Sequence, residues 1–254
     1  MKQRKEKGVV FDATSVQAIM AGRKTVFRMA VRQKYDNTVL EMKTDKYGTR
    51  LIEIEQDIEG VTFGKREDGR TWRKIRGYIE PEPPYRRGDV LYVKEAWKVL
   101  AFWGGETPGC KVSYRAGGED KNCPYITRLS AKNPGWHPAL QMPKEAARIW
   151  VLVTDVRVEK LHDMTDEDAL MEGAEGVPCD CLKIGRPYNG CPDCMNTGWQ
   201  EPPLLDFMYG WDSKVKKNEE QKKGWEANPW VWVFTFKVID PDKTRKGGKN
   251  NGRD

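Results

Sequence analysis

Four cysteines carry the most specific chemistry in the chain. Cys179, Cys181, Cys191 and Cys194 fall within 16 residues in the spacing C-x-C-x9-C-x2-C. A C-P-D-C turn presents two thiolates from one knuckle, and a second pair completes a tetrahedron. Four sulfurs leave no open position, which is the pattern of a closed structural zinc site rather than a catalytic one. An iron–sulfur cluster, a redox pair or four unrelated thiols would use the same residues. The two histidines, His137 and His162, lie outside the cluster and read as surface or core side chains. Cys110 and Cys123 flank a glycine-rich loop and read as incidental.

A second candidate region is basic. The stretch GRKTVFR, residues 22–28, sets Arg23, Lys24 and Arg28 around Thr25 with an apolar Phe27 among them. Arg23, Lys24, Arg28, Arg32 and Lys34 make five basic residues with no acidic one between positions 23 and 34. Such cations, where exposed, contact phosphates. Phe27 reads as a core residue or as a ring on which a base could stack.

The elements that position these groups follow from periodicity. Residues 12–22 predict a short helix: Val16, Ile19 and Met20 share a face, Asp12 or Thr14 caps the start, and Gly22 suits the end. Residues 26–31 alternate as a strand, with Phe27, Met29 and Val31 on one face and Arg28 on the other, facing outwards. Residues 33–80 read as a charged insertion of hairpins or a mobile arm, from runs such as RLIEIEQ and turn signals such as EDGR. Within it, segment 65–76 holds six basic and two acidic residues and reads as a solvated hairpin. RRGDVLYVKEAW predicts a turn and a strand, and residues 149–158 a second strong strand. TDEDALMEG predicts a helix capped by Thr165 with Asp168 as its capping-box partner and Gly173 at its end. Residues 203–216 read as helical. NPWVWVFTFKVI predicts a strand with Trp230, Trp232, Phe234 and Phe236 on one face. The tail, 240–254, reads as basic and disordered. Many short strands with two or three short helices define an α+β class, and a small β-barrel is expected.

Bulk properties bound the function. The chain has 254 residues, is 32% charged and carries a net charge of +6, which suits a phosphate-bearing partner but also simple solubility. No apolar run approaches the ~20 residues that span a bilayer, and the N-terminal residues lack the apolar segment of a signal peptide. A cytoplasmic protein without a membrane partner is expected. The small cysteine-rich insertion, 176–200, would use metal in place of a core.

Several segments together resemble the ASCH domains of the PUA-like superfamily, especially phage- and prophage-encoded members. They are MAGRKTVFRMAV, RRGDVLYVKEAW, WHPALQMPKEAARIWVLVTDVRVEKLHDMTDEDALMEG and WDSKVKK with GWEANPWVWVFTFKVI, in the family's order over roughly half the chain. Residues 33–80, the cysteine insertion and the basic tail lie outside that core. The half CPDCMNTGW is similar to the C-x-x-C-x-G-x-G knuckles of zinc-binding chaperone domains, with Asn196 at the first glycine, where a positive φ is expected.

The resemblance implies one ASCH-like domain over 1–254: a compact PUA-like β-barrel with a pocket between barrel and helices that binds RNA or a modified nucleotide. Some small members deacylate N4-acetylcytidine with a lysine, a threonine three residues on, and a glutamate of a later helix. Matched by position, these fall on Lys24, Phe27 and Glu172. Phenylalanine supplies no hydroxyl, and Thr25 is the nearby substitute nucleophile. Glu95 and Trp97 are expected to line the same pocket, with Trp97 reading more readily as core, and Arg23, Phe27 and Arg28 are further ligand-binding residues. The first expectation is therefore RNA or nucleotide binding, with the zinc insertion and tail extending the footprint. An N4-acylcytidine amidohydrolase using Lys24, Thr25 and Glu172 is the alternative. A phage accessory or morphogenesis protein, docking a protein partner through the zinc insertion, is the third, and for a phage-encoded chain the compartment is the host cytoplasm.

Overall fold

The computed structural model describes residues 6–34, 38–45, 48–55, 80–106, 108–124, 135–181, 191, 193–195 and 197–241. The EDGR turn, segment 65–76, Asn196 and the tail 243–253 lie outside the described residues. The class is α+β, mostly strands with a few short helices. The expected barrel is not found: the described strands form separate sheets of five, three, two and two strands, with no closed barrel among them.

The five-stranded sheet is built from β1 (Glu6–Val10), β2 (Val26–Ala30), β5 (Val90–Lys94), β9 (Trp150–Lys160) and β12 (Trp230–Ile239), in the order β1-β5-β9-β12-β2. β1 and β5 are parallel; the other pairs are antiparallel. β3 (Thr38–Asp45) and β4 (Gly48–Glu55) form the hairpin foreshadowed by RLIEIEQ. The Trp230 indole N–H fastens it to β12 through the Leu40 carbonyl at 2.9 Å. β6 (Trp97–Trp103), β7 (Gly109–Tyr114) and β8 (Lys121–Pro124) make an antiparallel meander that no clear alternation announces, because a bulge at Leu100 breaks the period of β6. β10 (Val177–Pro178) and β11 (Trp199–Glu201) form a two-stranded ribbon at the base of the cysteine insertion.

Three helices matter for the site. α1 (Ala13–Met20) is capped by Asp12, whose carboxylate accepts the Ser15 N–H, and the chain leaves it through Gly22 at φ +74°. α2 (Asp166–Met171) carries the capping box of Thr165 and Asp168. α3 (Pro203–Asp212) starts with a proline at its first position, where no N–H is missed. No helix among the described residues is long and apolar enough to cross a membrane.

The main sheet is buried on both faces. Phe27, Leu91, Val93, Val151, Val153, Phe234 and Phe236 face one cluster, which α1 closes with Val16 and Ile19. The opposite side of β2 and β12 buries Val26, Val231 and Val233 against Trp225 and the apolar side of α3. Farther along, Val90 and Trp150 meet the meander in a cluster that includes Trp97, Val112 and Tyr114. Each large side chain so buried contributes about 1.5–3 kcal/mol by transfer from water. β12 is thus a central strand with both faces covered, and its Trp230 and Trp232 are half-exposed where the clusters end.

Candidate functional site

Lys24 and Glu172 lie 148 residues apart and meet in the fold. Behind α1, the backbone N–H groups of Arg23 and Lys24 both donate to the Ala18 carbonyl, at 2.9 and 3.1 Å, and turn the chain towards β2. Thr25 N–H then donates to the Met171 carbonyl at 2.8 Å, so the end of α2 is stitched to the start of β2. Gly173, at φ +86°, permits the approach: a Cβ there would stand 2.7 Å from that of Ala18 and 3.1 Å from that of Lys24.

The Lys24 ammonium, 5% exposed, donates to the Glu172 carboxylate at 2.5 Å and to its backbone carbonyl at 2.6 Å. Arg28 reaches the other Glu172 oxygen at 3.3 Å, Glu159 at 2.8 Å and Asp168 at 3.2 Å. Arg157 closes the set on Glu159 and Asp168 at 3.0 and 3.3 Å. Three cations face three carboxylates. Burial disfavours the charge on Arg28, but Glu172 and Glu159 outweigh it and hold its proton more firmly than usual. Burial likewise pushes the Asp168 carboxyl up, while the Thr165 N–H and Arg28 pull it down further, for a net lowering.

Two expectations are corrected here. The alternation correctly set Arg28 opposite Phe27, but Arg28 does not face outwards: its side chain has no exposed surface and it cannot grip a phosphate. Phe27 is not a pocket floor. It stacks on Phe234 at 4.8 Å and meets Phe11 edge-on at 5.4 Å, with 4% of its surface exposed, which leaves no ring face for a base. Thr25 is half-buried, and among the described residues its hydroxyl bonds neither Lys24 nor Glu172. The lysine and the glutamate of the resemblance are therefore together, in a closed ion network, without a nucleophile in contact with them.

Glu95 and Trp97 belong elsewhere. Glu95, 1% exposed, takes a two-pronged grip from Arg148 at 2.8 and 2.9 Å, and Arg148 lies 4.0 Å from the Tyr114 ring. Burial raises the Glu95 carboxyl above its ordinary range against the pull of Arg148. Trp97 is fully buried beside His137, in the cluster under the meander. No described contact joins either residue to Lys24, so both act in packing rather than as pocket lining.

The four cysteines of the insertion converge. Their sulfurs all lie within 4.8 Å of one another, with Cys179 to Cys191 at 3.8 Å and Cys181 to Cys194 at 3.5 Å. Sulfurs about 2.3 Å from a tetrahedral zinc stand about 3.8 Å apart, so the set fits such an ion. The ribbon sets the geometry: Cys179 follows β10 directly, and its N–H donates to Gly198 at 2.9 Å, one residue before β11. The knuckle turns through N–H bonds from Met195 to Cys191 and from Thr197 to Cys194, at 2.9 and 2.8 Å. Among the described residues of the knuckle, Met195, at 47°, and Gly198 take positive φ.

Between the end of α2 and this ribbon lies a cleft of about 580 Å³. Leu170 and Met171 from α2, Pro178 and Trp199 from the ribbon, and Arg23 line it. Trp199 is laid against Gly176, where a Cβ would come within 2.8 Å of the indole, and stays half-exposed. Arg23 pairs at 2.9 Å with the exposed Glu175 and donates to the Gly173 carbonyl at 3.3 Å. Of these lining residues, sequence singles out Arg23 alone; the convergence of Trp199, Leu170 and Met171 depends on how the ribbon docks on α2, and an indole within GWQEPP beside glycine and proline is the available signal. Comparisons with family models, with curated proteins and with solved structures return no match.

Proposed function

We propose that the chain is a nucleic-acid-binding module, of the ASCH type suggested by its sequence segments, that accepts an RNA base or modified nucleotide in the cleft between α2 and the cysteine ribbon. The observation that carries this reading is the half-exposed Trp199 indole, set against Gly176 in a cleft that Leu170, Met171 and the exposed Arg23 also line. Stacking supplies sequence-tolerant affinity, and Arg23 supplies a charge-assisted contact to phosphate. Zinc is the ion that best suits four thiolates at these separations, in a structural role: it holds the ribbon that carries Trp199. Lys24 and Glu172 position α2 and the Arg23 backbone in this scheme.

The test is a titration of single-stranded RNA at several salt concentrations with wild type and Arg23→Gln. Affinity is expected to fall with salt, and the variant to lower the slope by about one. A salt-independent affinity overturns the reading. Hydrolysis of N4-acetylcytidine is the competing activity, and no turnover is expected because, among the described residues, no hydroxyl bonds Lys24 or Glu172. Turnover by wild type would return the enzyme reading to first place.

A further inference from the structure

Cys110 and Cys123 are set apart from the metal-binding group and face each other across the meander. They are register partners on β7 and β8. Cα atoms of antiparallel partners stand about 4.5–5.5 Å apart, inside the span that a disulfide bridges. The two sulfurs are 3.2 Å from each other, so bond formation needs side-chain adjustment and no backbone movement. Each thiol is aimed inwards at a carbonyl, Cys110 at Pro124 and Cys123 at Cys110.

We propose that Cys110 and Cys123 form a reversible intramolecular disulfide, a redox-set staple between β7 and the edge strand β8. The oxidant class is a low-molecular-weight disulfide. The Cys123 sulfur attacks one sulfur of that disulfide as its thiolate, and the first small thiol leaves, taking up the proton. The Cys110 sulfur then attacks Cys123, expelling the second small thiol. Two protein thiols lose two electrons and two protons, and the reagent gains them as two thiols. Cys123 is the entry point: it is 6% exposed against none for Cys110, and its four-residue strand lies at the edge of the sheet.

The surroundings set the rate and the consequence. Burial and the neighbouring Cys110 push the Cys123 thiol up to about 12, so little thiolate exists at neutral pH and oxidation is slow. Once formed, the bond pins β8, whose Lys121 already ties to the carbonyls of Glu145 and Ala147 at 3.0 and 2.6 Å. The staple therefore fastens the meander to the segment that leads into Arg148, the partner of Glu95. The four cysteines of the ribbon are spared when their thiolates are engaged by metal.

The experiment uses zinc-loaded full-length protein incubated with oxidised glutathione, then denatured without reductant, alkylated and peptide-mapped. The expected result is a fall from six free cysteines to four, with one linked peptide pair containing Cys110 and Cys123. A rise in melting temperature that dithiothreitol reverses is expected in the same sample. Cys110→Ser is expected to lose both the linkage and the rise. Six alkylated cysteines, a stable glutathione adduct on Cys123 alone, or linkage through Cys179 to Cys194 in place of the pair would each overturn the proposal.

Discussion

Two polar clusters flank the same cleft and solve opposite problems. The group around Lys24 and Glu172 satisfies itself: three cations and three carboxylates on or next to β2, β9 and α2 pair off. The cysteine group instead gathers four sulfurs within 4.8 Å of one another, close enough to hold a metal ion. The first is a structure whose members stabilise each other; the second has the donors to hold a cation. The catalytic-looking pair of the sequence belongs to the first kind.

Removing metal should produce the largest effect. Structural zinc in small cysteine sites contributes about 10–16 kcal/mol of folding energy. Chelation or Cys191→Ser is expected to raise hydrogen exchange at Val177, Cys179 and Trp199–Glu201 to near-free rates while β9 and β12 stay protected. Elemental analysis should return one zinc per chain before chelation. Unchanged exchange in the ribbon after complete metal loss would show that the ribbon folds without it.

The ion network should respond next. Taking one partner from a buried pair strands the other charge and costs about 3–5 kcal/mol. Lys24→Met is expected to lower the unfolding free energy from denaturant melts by that amount without altering zinc content. The double variant Lys24→Met with Glu172→Leu should recover most of the loss, as Arg28 retains Glu159 and Asp168. Equal losses in single and double variants would mean that the pair is not coupled.

Acid sensitivity is the smallest of these effects and sharpens the same contrast. The Asp168 carboxyl is lowered in the folded state below its ordinary 3.8, so its stabilisation is complete above that value. It is lost as pH falls through the lowered value. Asp168→Asn is expected to be less stable than wild type near neutrality and to lose less as pH drops below about 4. A parallel pair of stability curves would remove Asp168 from the network.

Local patterns were legible and long-range partners were not. The Asp12 cap, the Thr165–Asp168 box and the four-cysteine spacing each lie within a few residues to a single turn of chain, so sequence alone carries them. Alternation assigned Arg28 to the face opposite Phe27, but alternation names a face and not what covers it. Glu159 and Glu172, over 130 residues away, cover that face and turn an expected phosphate grip into a buried tie. β1 was missed because its apolar residues are few among lysines, and its burial depends on parallel pairing with β5. Cys110 and Cys123 seemed incidental because only strand register brings them together. The barrel expected from the family resemblance does not appear among the described strands.

The central claim is that Trp199 in the cleft takes a base. Its most direct test is the affinity of zinc-loaded protein for a short single-stranded RNA, compared between wild type and Trp199→Ala at one salt concentration, with zinc content matched. A stacked base is worth about 1–3 kcal/mol, so the expected loss is roughly 5- to 150-fold. An unchanged affinity in a folded, zinc-loaded variant would contradict the account.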